Sequence, residues 1–171
     1  VAEGMRRLND IALSGNGEPT SAREFPAVIE LIGALLAEFE LLGKIKLVLI
    51  TNGSLIDRKT VHAGLHAMSR LNGEVWFKLD SATAAGMRAI NQTRIAPERA
   101  FERLRMAAGL CPTWLQTCMF ALDGAPPSAA EQEAYLTLVR RIREARIPVR
   151  GVLLYGLARP SMQPQAARLA A

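Results

Sequence analysis

The chain has 171 residues, 50% hydrophobic, 5% aromatic and 22% charged, and its 21 basic and 16 acidic side chains leave a formal charge of +5. That balance excludes a disordered chain and two cysteines exclude a disulfide framework, so one ordinary domain with a core of its own is expected. The longest apolar stretch, residues 27–42, is broken by Glu30, Glu38 and Glu40, and the first ten residues carry no apolar targeting core, which points to a cytoplasmic chain without a membrane span.

In chain order, residues 11–13 form a brief apolar run that ends in a glycine-rich loop. Phe25, Val28, Ile29, Ile32, Leu35, Leu36 and Phe39 then recur at helical spacing, with Pro26 where a first turn tolerates it and Gly43 as a stop. Residues 45–51 (IKLVLIT) are apolar on both faces, as a covered strand must be, and an Asn52-Gly53 turn follows. Asp57 is placed to cap a helix running to about Leu71, and residues 75–79 predict a third strand. Helical pieces follow at residues 83–90 and 97–108, then a fourth strand at 114–122. Ser128 caps a helix to about Arg146, residues 149–155 form a fifth strand, and a last helix begins after Pro164. Successive strands start about 30 to 40 residues apart, the length of a βα unit, which implies parallel strands joined by helical crossovers. A doubly wound open sheet and an incomplete α/β barrel both fit, in one domain.

In either architecture ligands bind at the carboxyl ends of the strands. Those ends read Ser14-Gly15-Asn16-Gly17-Glu18-Pro19-Thr20, Thr51-Asn52-Gly53-Ser54, Lys78-Leu79-Asp80-Ser81, Asp123-Gly124 and Tyr155-Gly156-Leu157-Ala158-Arg159. Gly15 and Gly17 resemble the opening of a dinucleotide fingerprint, but Thr20 stands where its third glycine would be, and Glu18 would repel a pyrophosphate. A carboxylate flanked by approachable backbone suits an ammonium instead. Two-residue alternation puts Trp76, Lys78 and Asp80 on one strand face; Lys78 and Asp80 either pair with each other or contact ligand hydroxyls and a carboxylate.

Cys111 and Cys118 lie roughly 20 Å apart along an extended chain, too far to share a metal, and Cys118 is expected as a small core residue. His62 and His66 have the spacing of helical metal ligands but no third ligand, and flanking the Val61, Leu65 and Met68 face they are expected in solvent or at the boundary of that face. No serine-nucleophile elbow, phosphate-binding loop or Ser/His/Asp set is present. Arg140, Arg141, Arg143, Arg146 and Arg150 cluster at the end of one helix, where cations complement the helix dipole or offer RNA a basic face.

The runs ALSGNGEPT, LVLITNGSL, VWFKLDSAT, WLQTCMFALDG and GVLLYGLARPS, in that order, resemble the radical S-adenosylmethionine superfamily, in particular the branch with a Gly-Glu-Pro-Thr loop shared with wyosine-type tRNA-modifying enzymes. The resemblance implies a partial parallel (βα) barrel of TIM-barrel-like form, five of six strands present, with S-adenosylmethionine across the strand ends beside a four-iron four-sulfur cluster. It implies that Gly15, Asn16, Gly17 and Glu18 hold the methionine ammonium, and that Asn52, Lys78, Asp80 and Ser81 contact the ribose and methionine carboxylate. Asp123, Tyr155, Gly156 and Arg159 would line the adenine and substrate side. Family members cleave the sulfonium reductively to a 5′-deoxyadenosyl radical, with electrons from a reductant such as ferredoxin or flavodoxin.

The family's Cys-x-x-x-Cys-x-x-Cys motif precedes the first run, and this chain carries no cysteine there. The expectation is therefore a fragment whose leading Val1 marks a truncation, inactive alone, with residues 11–13 an edge strand open to association with another chain. Two alternatives stand beside it: a non-catalytic methionine- or nucleoside-binding module without a cluster, and an ordinary α/β enzyme using Lys78 and Asp80 as an acid/base pair.

Overall fold

The structure, a computed structural model, describes residues 8–15, 17–157 and 166–167. In chain order the elements are β1 (Asp10–Leu13), a one-turn 3-10 helix (Pro19–Ser21), α1 (Phe25–Glu38), β2 (Lys46–Thr51), α2 (Lys59–Arg70), β3 (Gly73–Lys78), α3 (Ala84–Asn91), α4 (Pro97–Leu110), β4 (Thr113–Met119), β5 (Ala121–Leu122), α5 (Ala129–Glu144), β6 (Val149–Gly156) and β7 (Ala166–Ala167). Five strands form one sheet in the order β1-β2-β3-β4-β6, and every neighbouring pair is parallel.

Among the described residues that order never reverses, so the sheet shows none of the switch points that define a doubly wound fold. With crossovers of one hand, sequential order also puts the connecting helices on one face. Burial agrees. Leu47, Leu49, Val75, Phe77 and Leu115 share a single apolar cluster with Ile29, Leu36, Leu65, Leu104 and Ile142 from α1, α2, α4 and α5. Each such side chain, fully buried, contributes roughly 1.5–3 kcal/mol, so this layer dominates the stability of the chain.

The opposite face carries the alternate residues. Val48, only 1% exposed, stands outside that cluster, beside Glu74, Trp76, Trp114 and Gln116. The buried Glu74 carboxylate accepts from the Trp76 indole at 2.9 Å and the Trp114 indole at 3.4 Å, and Lys46 Nζ lies 3.4 Å from it. Polar groups at the amino-terminal half of this face are thereby satisfied internally, as burial demands.

Several local expectations are corrected. Asp57 does not cap α2; Arg58 is the N-cap residue without a side-chain bond, and Asp57 instead faces Arg99 at 2.6 Å and Arg103 at 3.4 Å on α4. Charged partners across the fold outcompete a single backbone amide for its oxygens. Helix α1 ends at Glu38, before Gly43, because Glu40 already turns left-handed at φ +54°. The fourth strand stops at Met119. Beyond it, β5 turns on Asp123 and Gly124, φ +51° and +76°, the pair a tight two-residue hairpin requires. Where a last helix was expected after Pro164, Ala166–Ala167 pair antiparallel with β5; the rest of that segment lies outside the described residues. Among the described residues no helix is long and apolar enough to cross a membrane.

Candidate functional site

The loop after β1 is shaped by its glycines. Gly15 and Gly17 have φ of +157° and +158°, values that only glycine adopts readily, although a Cβ at either would meet nothing within 4 Å. Backbone conformation, not crowding, demands glycine there, and the space beside the loop is open. Asn16 lies outside the described residues.

Glu18 follows and caps the 3-10 helix. Its Oε1 accepts from Thr20 N at 3.2 Å, Thr20 Oγ1 at 2.6 Å and Thr51 Oγ1 at 2.6 Å, while Oε2 accepts from the Asn52 amide at 2.8 Å. An ionised carboxylate has about four acceptor sites, and here one oxygen is saturated while the other keeps spare capacity. Glu18 thus ties the end of β1 to the end of β2.

A cleft of about 490 Å³ opens at these strand ends, lined by Ser14, Gly15, Gly17, Glu18, Ile50, Asn52, Lys78, Asn91, Gln116 and Tyr155. Strand register explains the assembly. Lys78 pairs with Gln116, Gln116 with Leu153 and Cys118 with Tyr155, so alternate residues of three strands face one space. One wall bears the Glu18 carboxylate and the other the Lys78 ammonium, an arrangement complementary to a zwitterion. Burial pushes the Tyr155 phenol well above its usual range, with Asp80 and Cys118 adding to it, so it stays neutral.

Of the residues singled out from sequence, Gly15, Gly17, Glu18, Asn52, Lys78 and Tyr155 meet in this cleft. Asp80 stands behind it: its carboxylate accepts from Cys118 N at 2.9 Å and Asn91 Nδ2 at 2.8 Å, with Lys78 Nζ 3.9 Å away. These contacts make it a positioning residue for Lys78 and Asn91. Ser81 is buried and bonds Glu131 at 2.7 Å, and Thr83 bonds the same carboxylate. Both Asp80 and Ser81 border a second cavity of about 690 Å³, largely apolar, between α3, α5 and the end of β6. Asp123 is exposed in its tight turn and Gly156 ends β6; neither lines the cleft. Arg159 lies outside the described residues.

Sequence reasoning missed Gln116 and Asn91. Strand alternation with Cys118 could have found Gln116, whereas Asn91 arrives only because α3 ends over the cleft. The cysteine in the core is not Cys118, the one expected there. Cys111 is the core residue, its thiol pushed up to about 12 by burial and then by Glu74; Cys118 is half-buried beside Tyr155. His66 is exposed and His62 half-buried, and among the described residues no three metal-ligating side chains converge.

The arginine cluster sits at the other end of the sheet, since α5 runs from the carboxyl-end rim to just before β6 begins. Arg140 pairs with Glu133 at 2.7 Å and Arg141 lies over the Phe101 ring at 3.9 Å. Compared with protein-family models, curated proteins and solved structures, the chain has no match.

Proposed function

We propose that the cleft binds S-adenosylmethionine, and that the sheet is five strands of a parallel (βα) barrel of the radical S-adenosylmethionine type. The observation that carries this reading is the convergence of Gly15, Gly17, Glu18, Asn52, Lys78 and Tyr155, drawn from four strand ends, around one space. Sequential strand order with helices on one face supports the barrel.

The ligand carries an ammonium, a carboxylate, ribose hydroxyls and a base, and the cleft offers a partner for each. The spare lone pair of Glu18 Oε2 takes the ammonium. Lys78, held by Asp80, takes the carboxylate, Asn52 the ribose, and Tyr155 flanks the base. The cluster that such proteins use for reductive cleavage does not fit this chain. Three thiolates are needed, and the two cysteines are one core residue and one strand residue behind the cleft. No redox step is routed through these residues, and the function assigned is binding.

Calorimetric titration of S-adenosylmethionine into the 171-residue chain without iron tests this. Saturable binding at one site is expected, weakened about tenfold or more in Lys78→Met, which loses a charged hydrogen bond. Absence of binding at millimolar ligand overturns the reading.

A further inference from the structure

Among the described residues β1 and β6 are the outermost strands of the sheet, each paired in parallel with a single neighbour. An open edge presents a row of unpaired backbone groups, and parallel sheets are seldom left uncovered. Beyond β1 stands a flank of α1. A Cβ at Gly33 would meet the side chain of Leu71, the C-cap of α2, so Gly33 marks the side of α1 turned to α2. Leu31 and Leu35, two residues before and after it, stand about 160° around the helix and face the open β1 edge instead. Phe39 continues that row one turn on, and the three are between 44% and 64% exposed. Glu38 lies beside them in the last turn, where a carboxylate opposes the helix dipole.

The flank beyond β6 belongs to α5. Arg141, over the Phe101 ring, marks the side of α5 turned to α4. Val139 and Arg143, again two residues before and after, therefore face the open β6 edge. Leu136, one turn before Val139, and Leu154 of β6 are exposed there. Neither Arg143 nor Glu38 forms an ion pair with the described residues of its own chain.

We propose that a second copy of this chain covers these flanks, its β1 pairing in parallel with β6 and its α1 packing beside α5. Continued parallel pairing keeps both helices on one face and in one direction, so their last turns lie side by side. Leu136 and Val139 then meet Leu31 and Leu35 of the second copy, and Arg143 meets its Glu38. Apolar groups meet apolar ones, and the carboxylate that opposes its own helix dipole gains a cation. Pairing β1 with β1 would instead lay α1, which has two glutamates and no basic residue, against itself. A head-to-tail contact of this kind closes when a rotation returns it to its start, and two five-stranded sheets so joined leave no edge. The pairing is independent of what the cleft binds.

Sedimentation equilibrium on the full 171-residue chain is expected to give two chains per particle. Leu35→Asp and Leu136→Asp should each be monomeric, and mixing them should restore pairs, because one complete contact survives between the two variants. Glu38→Arg, a change at an exposed position, should weaken association about tenfold or more, and adding Arg143→Glu to it should recover the loss. A chain that stays monomeric at millimolar concentration, or grows past two copies as concentration rises, overturns the proposal. So does a Leu136→Asp chain that still pairs, which would mark a contact of β1 with itself, or a mixture that stays monomeric. Where an aspartate variant does not fold, the charge exchange decides: a loss in Glu38→Arg that Arg143→Glu fails to recover overturns the assigned contact.

Discussion

The Thr51 hydroxyl donates to the Glu18 carboxylate across 2.6 Å, joining the last residue of β2 to the loop that leaves β1. The same hydroxyl accepts from Gly53 N at 3.0 Å, so one side chain relays the carboxylate to the turn below the cleft. Both strand ends depend on that contact, because Thr51 is buried and has no water to fall back on.

Replacing Glu18 by Gln leaves one acceptor oxygen for four donors and turns an amide toward some of them. A loss of about 1–3 kcal/mol in stability is expected, read from urea unfolding. Thr51→Val should reproduce part of the loss without altering charge. A Glu18→Gln chain with an unchanged midpoint and slope would show that the clasp contributes nothing.

Gly64 in α2 tests packing against propensity. Alanine is favoured over glycine in a helix interior by roughly 0.5–1 kcal/mol. A Cβ at Gly64, however, would run into the ring of Phe25, itself 3% exposed at the start of α1. Overpacking of about 1–3 kcal/mol outweighs the gain, so Gly64→Ala should lower the thermal midpoint. A raised midpoint would mean that α1 and α2 can separate freely.

Cys111 should resist alkylation. Burial first, and Glu74 second, hold its thiol up to about 12 from a reference of 9.0. Iodoacetamide at mildly alkaline pH should label the half-buried Cys118 before Cys111, which reacts only as the chain opens. The folded value lies above the unfolded one, so its contribution is complete below about 9 and is lost as pH rises toward about 12. Urea midpoints across that window should fall with pH, less steeply in Cys111→Ala.

Acid acts through Asp57. Partial burial opposes ionisation, but the backbone hydrogen bond together with Arg103 and Arg99 holds the carboxyl below its ordinary value. The folded value is the lower one, so the contribution is present above the unfolded carboxylate pKa of about 3.9 and lost as pH falls through the folded value. With 36% of the side chain exposed, screening limits it to about 1 kcal/mol or less. Asp57→Asn should soften the acid limb of the stability profile, and the difference should shrink at high salt.

Elements with a local cause were legible in the sequence. Ser128 caps α5 through Glu131 N, Pro97 opens α4, and alternation along residues 75–78 sorts core from open face as the structure does. Asp57 was misjudged because it sits where a cap would serve, yet Arg99 and Arg103, oppositely charged and brought near by folding, claim its oxygens.

The sequence by itself determined the βα alternation, the glycine-dependent loop before Glu18 and the polar strand ends, because each follows from backbone sterics or from the period of apolar residues. Strand order came only from the tertiary structure, since identical βα units can be added to either edge. So did the composition of the cleft. Gln116 enters it through register with Lys78, Asn91 through the end of α3, and Ser81 leaves it for Glu131. Such placements depend on which distant groups meet, and no local period encodes that.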